Sequence, residues 1–299
     1  MEDFMADCRL CPRNCHVNRL QGETGYCGQN AGIRAARAAL HFWEEPCISG
    51  ENGSGAVFFS GCALGCVYCQ NRQISNSSVG EQISEERLAE IFLALQDQKA
   101  LNINLVTAGH FVPQTVLALQ IAKNQGLQIP IVYNSSGYEK VETLRMLDGL
   151  VDIYLPDLKY VSSDCSEKYS AAPDYPQIAK AAIAEMVRQT GKPGFSGEQM
   201  TQGVIVRHLV LPGQVNAARE TVRWLYETYR EKIYISILNQ YTPVPGMEKW
   251  PQLNRKVTTE EYDAVVDYAI DIGVEQGFIQ EGETAEESFI PAFDLTGLI

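Results

Sequence analysis

Gly61-Cys62-Ala63-Leu64-Gly65-Cys66-Val67-Tyr68-Cys69-Gln70-Asn71 follows directly on the apolar run Ala56-Val57-Phe58-Phe59. The run is short, aromatic and β-branched, and glycines bound it, so it reads as a strand. Three cysteines at C-x3-C-x2-C therefore leave the carboxyl end of a first strand and share one loop. Thiolates bind soft metals and iron–sulfur clusters, and close spacing lets one loop wrap one cluster. A four-iron cluster on three cysteines keeps one iron open for another ligand. A reactive centre needs such an open position; a purely structural site lacks it. The bland alternative is three buried core cysteines.

The whole chain sets the bounds. Its 299 residues can bury the core of one large domain, or of one and a half. With 45% apolar and 20% charged residues, the composition is that of an ordinary globular protein. No apolar run approaches the ~18 residues that suggest a membrane span. Met1 to Asp7 is acidic and lacks a basic-then-apolar signal, so a soluble, cytoplasmic protein is expected. The net charge of −13 disfavours broad nucleic-acid binding, which draws on Lys and Arg against phosphate. Nine cysteines without a signal peptide read as metal ligands before disulfides.

Seven of the nine cysteines fall in two groups. The second group is Cys8, Cys11, Cys15 and Cys27, spaced C-x2-C-x3-C-x11-C. Four thiolates complete a tetrahedral shell for zinc or hold an iron–sulfur cluster. A stretch this short and glycine-punctuated cannot order itself by apolar burial, so a metal would supply much of its order. His16 replaces one cysteine or is a neighbour. Ala31 to Leu40 is alanine-rich and reads as a helix or an extended strand. Cys47 reads as a small buried residue.

From Gly55 onward strands and helices alternate. Further strands are expected over 102–107, 128–133, 151–155, 203–210 and 232–238. Ser84 reads as an N-cap, with Leu88, Ile91, Phe92 and Leu95 forming an apolar helical face. Other helices are expected over 113–123, 139–147 and about 174–190. Two more faces follow, at Val222, Leu225, Tyr226 and Tyr229, and at Tyr262, Val265, Val266 and Ala269. Six strand-then-helix units imply an α/β protein with a parallel sheet and right-handed crossovers. Periodicity leaves an open sheet and a curled one equally allowed.

The C-x3-C-x2-C spacing, with an aromatic residue before the third cysteine, resembles the radical S-adenosylmethionine (SAM) superfamily. Gly61-Cys62 through Gln70-Asn71 resembles the glycyl-radical-enzyme activases. The flanking text, including Glu44-Glu45-Pro46-Cys47, resembles the pyruvate formate-lyase-activating-enzyme-related (PflX-type) branch, and the resemblance runs from Cys8 to the C-terminal region. It implies a partial (β/α)6 TIM-like barrel with a small N-terminal cysteine-rich metal-binding extension. The expected divisions are 1–54, a core over 55–275 and a C-terminal extension over 276–299. The implied cofactors are a 4Fe–4S cluster on Cys62, Cys66 and Cys69, and SAM on its open iron. The spacing of Cys8, Cys11, Cys15 and Cys27 adds the expectation of a second metal site, an iron–sulfur cluster ahead of zinc; related sequences carry a similar cysteine group, which leaves the metal open. One-electron reduction, by a donor such as flavodoxin or ferredoxin, would cleave SAM to methionine and a 5′-deoxyadenosyl radical.

In parallel α/β architectures, ligands sit at the carboxyl ends of the strands. The candidate cofactor contacts lie there. Ala108, Gly109 and His110 stand where activases hold the SAM amino group, although a Gly-Gly-Glu type sequence is absent; His110 is such a contact or a loop histidine. Asn134 and Ser136 are polar contacts or a plain turn. Asp157 and Lys159 match an Asp-x-Lys element whose Lys pairs with the SAM carboxylate. Arg207 interrupts an apolar run, and because an unpaired buried guanidinium is costly, it faces a ligand or an acid. Asn239 or Gln240 is a further contact, and Tyr68 packs beside the adenine or the cluster. No protein acid or base is assigned to catalysis. The implied substrate is a protein glycine on a glycyl radical enzyme. The alternatives are a small molecule, another macromolecule, or a partner module that only binds iron–sulfur or zinc.

Overall fold

The computed structural model describes residues 2–75, 79–280 and 290–298. In chain order its strands are β1 (Ile33–His41), β2 (Ser54–Phe59), β3 (Glu81–Ile83), β4 (Ile103–Val106), β5 (Ile131–Ser135), β6 (Ile153–Pro156), β7 (Gly194–Ser196), β8 (Gln199–Leu209), β9 (Tyr234–Leu238) and β10 (Gly277–Ile279). They form one sheet in the order β10-β9-β8-β6-β5-β4-β2-β1-β3, with β7 folded back on β8. From β2 to β10 along this order the neighbours are parallel. Among the described residues the antiparallel pairs are β1 with β2, β1 with β3 and β7 with β8. The fold is α/β with a mostly parallel sheet.

Burial explains the strand sequences. Every residue of β2, β4, β5 and β6 is buried, as expected of strands covered on both faces. The crossovers carry the helices Glu85–Asp97, Val112–Asn124, Tyr175–Thr190 and Val215–Tyr229, and Thr259–Asp271 precedes β10. Ser84 caps the first of these by accepting from the Arg87 N–H, and Thr258 with Glu261 closes a capping box on the last. The helix expected over 139–147 is shorter, Val141–Leu144, and tightens into a 3-10 turn over Arg145–Leu147. Among the described residues no helix is long and apolar enough to cross a membrane.

The alanine-rich stretch is a strand. β1 pairs with β2 from Ala35 opposite Phe59 to His41 opposite Ser54. Residues 33–41 therefore belong to the core sheet, and a division at residue 54 separates two paired strands. The end of the chain returns to β1: the Ala38 N–H donates to the Thr296 carbonyl at 2.8 Å, and Arg37 pairs with Asp294 at 2.7 Å. Part of the expected C-terminal extension, 281–289 and 299, lies outside the described residues.

One backbone approach sets the floor of the sheet's carboxyl end. Gly137, just past β5, has φ +75, and a Cβ there would lie 2.3 Å from the Asp157 carbonyl oxygen. Gly149 has the same φ with nothing within 4 Å. Gly149→Ala should cost only the left-handed strain, about 1–2 kcal/mol. Gly137→Ala adds a clash with rigid backbone and should cost about 3–4 kcal/mol. Urea unfolding of the two variants checks this; equal losses would mean the approach of β5 to β6 is not constrained here.

Candidate functional site

The cysteine loop leaves β2 and turns across the carboxyl end of the sheet. Its backbone is tied on both sides: the Gly61 N–H donates to the Ile74 carbonyl at 2.9 Å, and the Val67 N–H donates to the Tyr169 carbonyl at 2.9 Å. Two sulfurs already accept hydrogen bonds. The Leu64 N–H lies 3.3 Å from Cys62 Sγ, and Ser170 Oγ lies 3.1 Å from Cys66 Sγ. The Cys66 and Cys69 thiols are raised by burial and, in lesser part, by their neighbouring thiols. Burial pushes the Cys66 thiol up to about 12, with Lys159 opposing it.

Cys62, Cys66 and Cys69 line a cavity of about 220 Å³. Tyr68, Asn134, Ser136, Asp157, Lys159, Arg207 and Gln240 line the same cavity, so seven of the expected cofactor contacts meet the cysteines there. The Tyr68 hydroxyl is 2.6 Å from that of Tyr160, which reaches Ser170 Oγ at 2.9 Å. A chain of hydroxyls thus runs from Tyr68 to the Cys66 sulfur. Gln240 is held by its neighbours: its carbonyl accepts from Gln70 at 2.6 Å and its side chain from Gln280 at 3.0 Å.

The charged side chains form one network. Lys159 Nζ lies 2.6 Å from Asp157 Oδ2, and Arg207 Nε lies 3.2 Å from Asp157 Oδ1. Arg207 Nη1 reaches Glu44 Oε2 at 3.1 Å, and Nη2 donates to Asn134 Oδ1 at 2.5 Å. Glu44 Oε1 accepts from Asn104 and Asn134 at 2.9 and 3.2 Å. Arg207 therefore faces acids, one of the two partners its burial demanded. Lys159 has three N–H donors and uses one on Asp157, so it keeps donors for a ligand in the cavity. Burial works against the charges of Asp157, Lys159 and Arg207, and their partners win. Asp157 stays below the ordinary carboxylate pKa because of Lys159 and Arg207, and Lys159 and Arg207 are raised above theirs chiefly by Asp157.

Ala108, Gly109 and His110 do not reach the cavity; Thr107, one residue earlier, does. Thr107 has φ +63, a left-handed kink that carries the following residues under the sheet end. His110 is buried, and its Nε2–H donates to the Ser60 carbonyl at 2.7 Å, behind the cysteine loop. Burial drives its pKa down to about 3, so it is neutral and acts as a brace. Gly109 leaves room for Glu139, whose carboxylate oxygens would meet a Cβ at 2.5 Å. Glu44 is the site residue the strand-end reading passed over, because it enters on the loop after the antiparallel β1. Its Glu-Glu-Pro-Cys text was the available signal. Cys47 is a core residue beside Ile48 and Val132, and the Cys165 thiol is 3.7 Å from Gln214 Oε1, apart from both cysteine groups.

The N-terminal cysteines lie against the back of the cysteine loop. A Cβ on Gly61 would meet the Cys27 carbonyl at 2.6 Å. Cys11 and Cys27 each feel the charge of Cys15, and Cys11 feels that of Cys27. Among the described residues no three Cys, His, Asp or Glu side chains already close around the position of a single ion.

The model of the radical SAM superfamily matches residues 56–225, more than half the chain. The chain belongs to the radical SAM superfamily. It is 27% identical to the uncharacterized protein MJ0674 of Methanocaldococcus jannaschii over 90% of this chain and 75% of that one. It is 23% identical to the pyruvate formate-lyase-activating enzyme of Clostridium pasteurianum over 73% of this chain and 87% of that one. Its fold is similar to that of Streptococcus suis SuiB bound to S-adenosylmethionine, with a TM-score of 0.51 and 13% identity over 75% of this chain and 49% of SuiB. The chain thus spans about half the length of SuiB. Methylornithine synthase has a similar fold, with a TM-score of 0.52 and 12% identity over 79% of this chain and 68% of that one. Membership implies an enzyme with a 4Fe–4S cluster and SAM. The residues fit that pair: three thiols, two of them already accepting hydrogen bonds, share a cavity with a lysine that has donors to spare.

Asp157 is the shared partner of two partly buried cations, and removing its charge leaves Lys159 without its carboxylate and Arg207 with Glu44 alone. Asp157→Asn should lower unfolding free energy at pH 7 by about 2–3 kcal/mol. The sign with pH follows from its lowered pKa. Its contribution is full above the ordinary carboxylate value of 3.8 and is lost as pH falls through the lower folded value. Wild-type stability should therefore drop faster than that of the variant on acidification below pH 4. Guanidinium unfolding across pH measures both; parallel acid slopes would remove Asp157 from the network's energetics.

Proposed function

We propose that this chain holds a 4Fe–4S cluster on Cys62, Cys66 and Cys69, binds SAM in the adjoining cavity, and takes a hydrogen atom from a substrate. The observation that carries this reading is the meeting of the three thiols and Lys159 in one cavity within a radical SAM chain. When bound, the pair supplies reductive cleavage of SAM to methionine and a 5′-deoxyadenosyl radical. The chain's residues do the rest. Lys159 binds the SAM carboxylate with its remaining donors. Asp157 aims Lys159, and Arg207 with Glu44 aims Asp157, so Arg207 is a positioning residue. Tyr68 covers the thiol loop, and Asn134, Ser136 and Gln240 offer polar contacts to the rest of the ligand.

In this reading the sheet curls as a partial (β/α)6 barrel whose six units are the strand-and-helix repeats from β2 to β9. The substrate is a protein glycine, an assignment supported by the likeness to the Clostridium pasteurianum activating enzyme. The electron donor is a flavodoxin or ferredoxin, and the setting is the cytoplasm. Nine free cysteines suit such a reducing compartment.

Anaerobically reconstituted protein given a strong reductant and SAM should release 5′-deoxyadenosine and methionine. Lys159→Ala should keep its iron and sulfide, because Lys159 supplies no ligand. Loss of a charge-assisted contact of about 1.5–3 kcal/mol should weaken SAM binding about tenfold to a hundredfold. A fully loaded wild type that binds no SAM would end the enzyme reading. A variant that binds SAM like wild type would remove Lys159 from the site. A glycyl-radical EPR signal on an added glycyl radical enzyme tests the substrate.

A further inference from the structure

Arg19 is 1% exposed. Its guanidinium donates to the Asn30 carbonyl at 3.1 and 2.7 Å and to the His110 carbonyl at 2.7 Å, and Nη1 lies 4.0 Å from Cys8 Sγ. Among the described residues no carboxylate pairs with it. A buried cation with only neutral partners is costly and calls for a counter-charge. The sulfur that the guanidinium approaches belongs to Cys8, one of the four N-terminal cysteines. Four thiolates around zinc, or around a 4Fe–4S cluster, carry about two negative charges in excess. Such a centre is the missing counter-charge.

The same segment grips the loop that carries Cys62, Cys66 and Cys69. Arg13 stands between Cys11 and Cys15. Its guanidinium donates to the carbonyls of Ala63, Leu64 and Ala171 at 2.8, 2.9 and 2.7 Å, and to that of Ser170 at 3.3 Å. Ser170 in turn donates to Cys66 Sγ. Tyr26 lies under the Arg13 guanidinium at 3.9 Å. The Tyr26 N–H donates to Cys15 Sγ at 3.2 Å and its hydroxyl to the Leu64 carbonyl at 3.3 Å. Gly65 has no Cβ where one would meet the Tyr26 hydroxyl at 2.8 Å.

We propose that Cys8, Cys11, Cys15 and Cys27 hold a metal–thiolate centre whose negative charge Arg19 balances, and that this centre fixes Arg13 and Tyr26 against the loop bearing Cys62, Cys66 and Cys69. The second half rests on the reading of that loop as the cluster loop; the first does not. Zinc and an iron–sulfur cluster share the required charge.

The full chain with Cys62, Cys66 and Cys69 changed to Ala isolates the first half. Purified anaerobically, it should hold one zinc or one iron–sulfur cluster per chain by elemental and sulfide analysis. Stripped and titrated with Co²⁺ alone, it should show thiolate-to-cobalt charge-transfer absorption that further Cys11→Ser and Cys27→Ser changes abolish. Neither metal nor cobalt absorption would overturn the site. Arg19→Gln should weaken metal retention against a chelator by tenfold or more, and Arg19→Lys should restore most of it; unchanged retention in Arg19→Gln would overturn the charge balance. In the otherwise wild-type chain, Arg13→Gln should keep the N-terminal metal and shift the EPR g-values of the reduced cluster on Cys62, Cys66 and Cys69. An unchanged spectrum would overturn the grip. A wild type with no cluster on those three residues would refute the proposed function while leaving the Co²⁺ result to stand or fall alone.

Discussion

Asp157 holds two partly buried cations, and through them it ties the carboxyl ends of the sheet together. It follows β6, forms a bridge with Arg207 on β8, and receives Lys159 from two residues on. Arg207 reaches Asn134 on β5 and Glu44 on the loop after β1, and Glu44 accepts from Asn104 on β4. Parallel strands alone bring these ends to one side, but backbone pairing says nothing about which side chains survive there. Buried charge survives only where it is matched. Two acids against two bases, with two asparagines on the one remaining oxygen, Glu44 Oε1, meet that condition. The donors Lys159 keeps are what the network leaves for a ligand.

Across the cavity the thiol loop has a different kind of support. It is a loop of small residues and glycines and cannot hold its own shape, so neighbouring segments hold its carbonyls. Arg13 takes two of them from behind, and His110 braces Ser60 at its start. The rigid charged wall and the propped loop face each other over about 220 Å³. A ligand that must touch both an iron and a cation is thereby given a fixed span, which is how a site positions a reactive atom.

Much of this was legible in the sequence because parallel strands write themselves plainly. Val57-Phe58-Phe59 and its five successors are mostly apolar runs followed by helices, and each lies within a few residues of where the pattern puts it. β1 was ambiguous because alanine leans to helix by propensity, and its pairing with β2 overrode that preference. The Asp157, Lys159 and Arg207 grouping followed from the rule that strand ends gather ligands. His110 failed the same rule because the left-handed turn at Thr107 sends the chain inward, and no residue type announces that turn. Glu44, Arg13 and Arg19 were passed over for a related reason. They reach the site from outside the repeating units, and only tertiary packing reveals what they touch.

The central claim is that the open corner of a cluster on Cys62, Cys66 and Cys69 faces a ligand carboxylate held by Lys159. The most direct measurement is electron–nuclear double resonance on the reduced, cluster-loaded chain mixed with SAM labelled with ¹⁷O in its carboxylate. The account predicts an oxygen coupling large enough to require a bond to iron, present in wild type and diminished in Lys159→Ala at the same SAM concentration. A cluster signal that shows no ¹⁷O coupling at saturating SAM would contradict it.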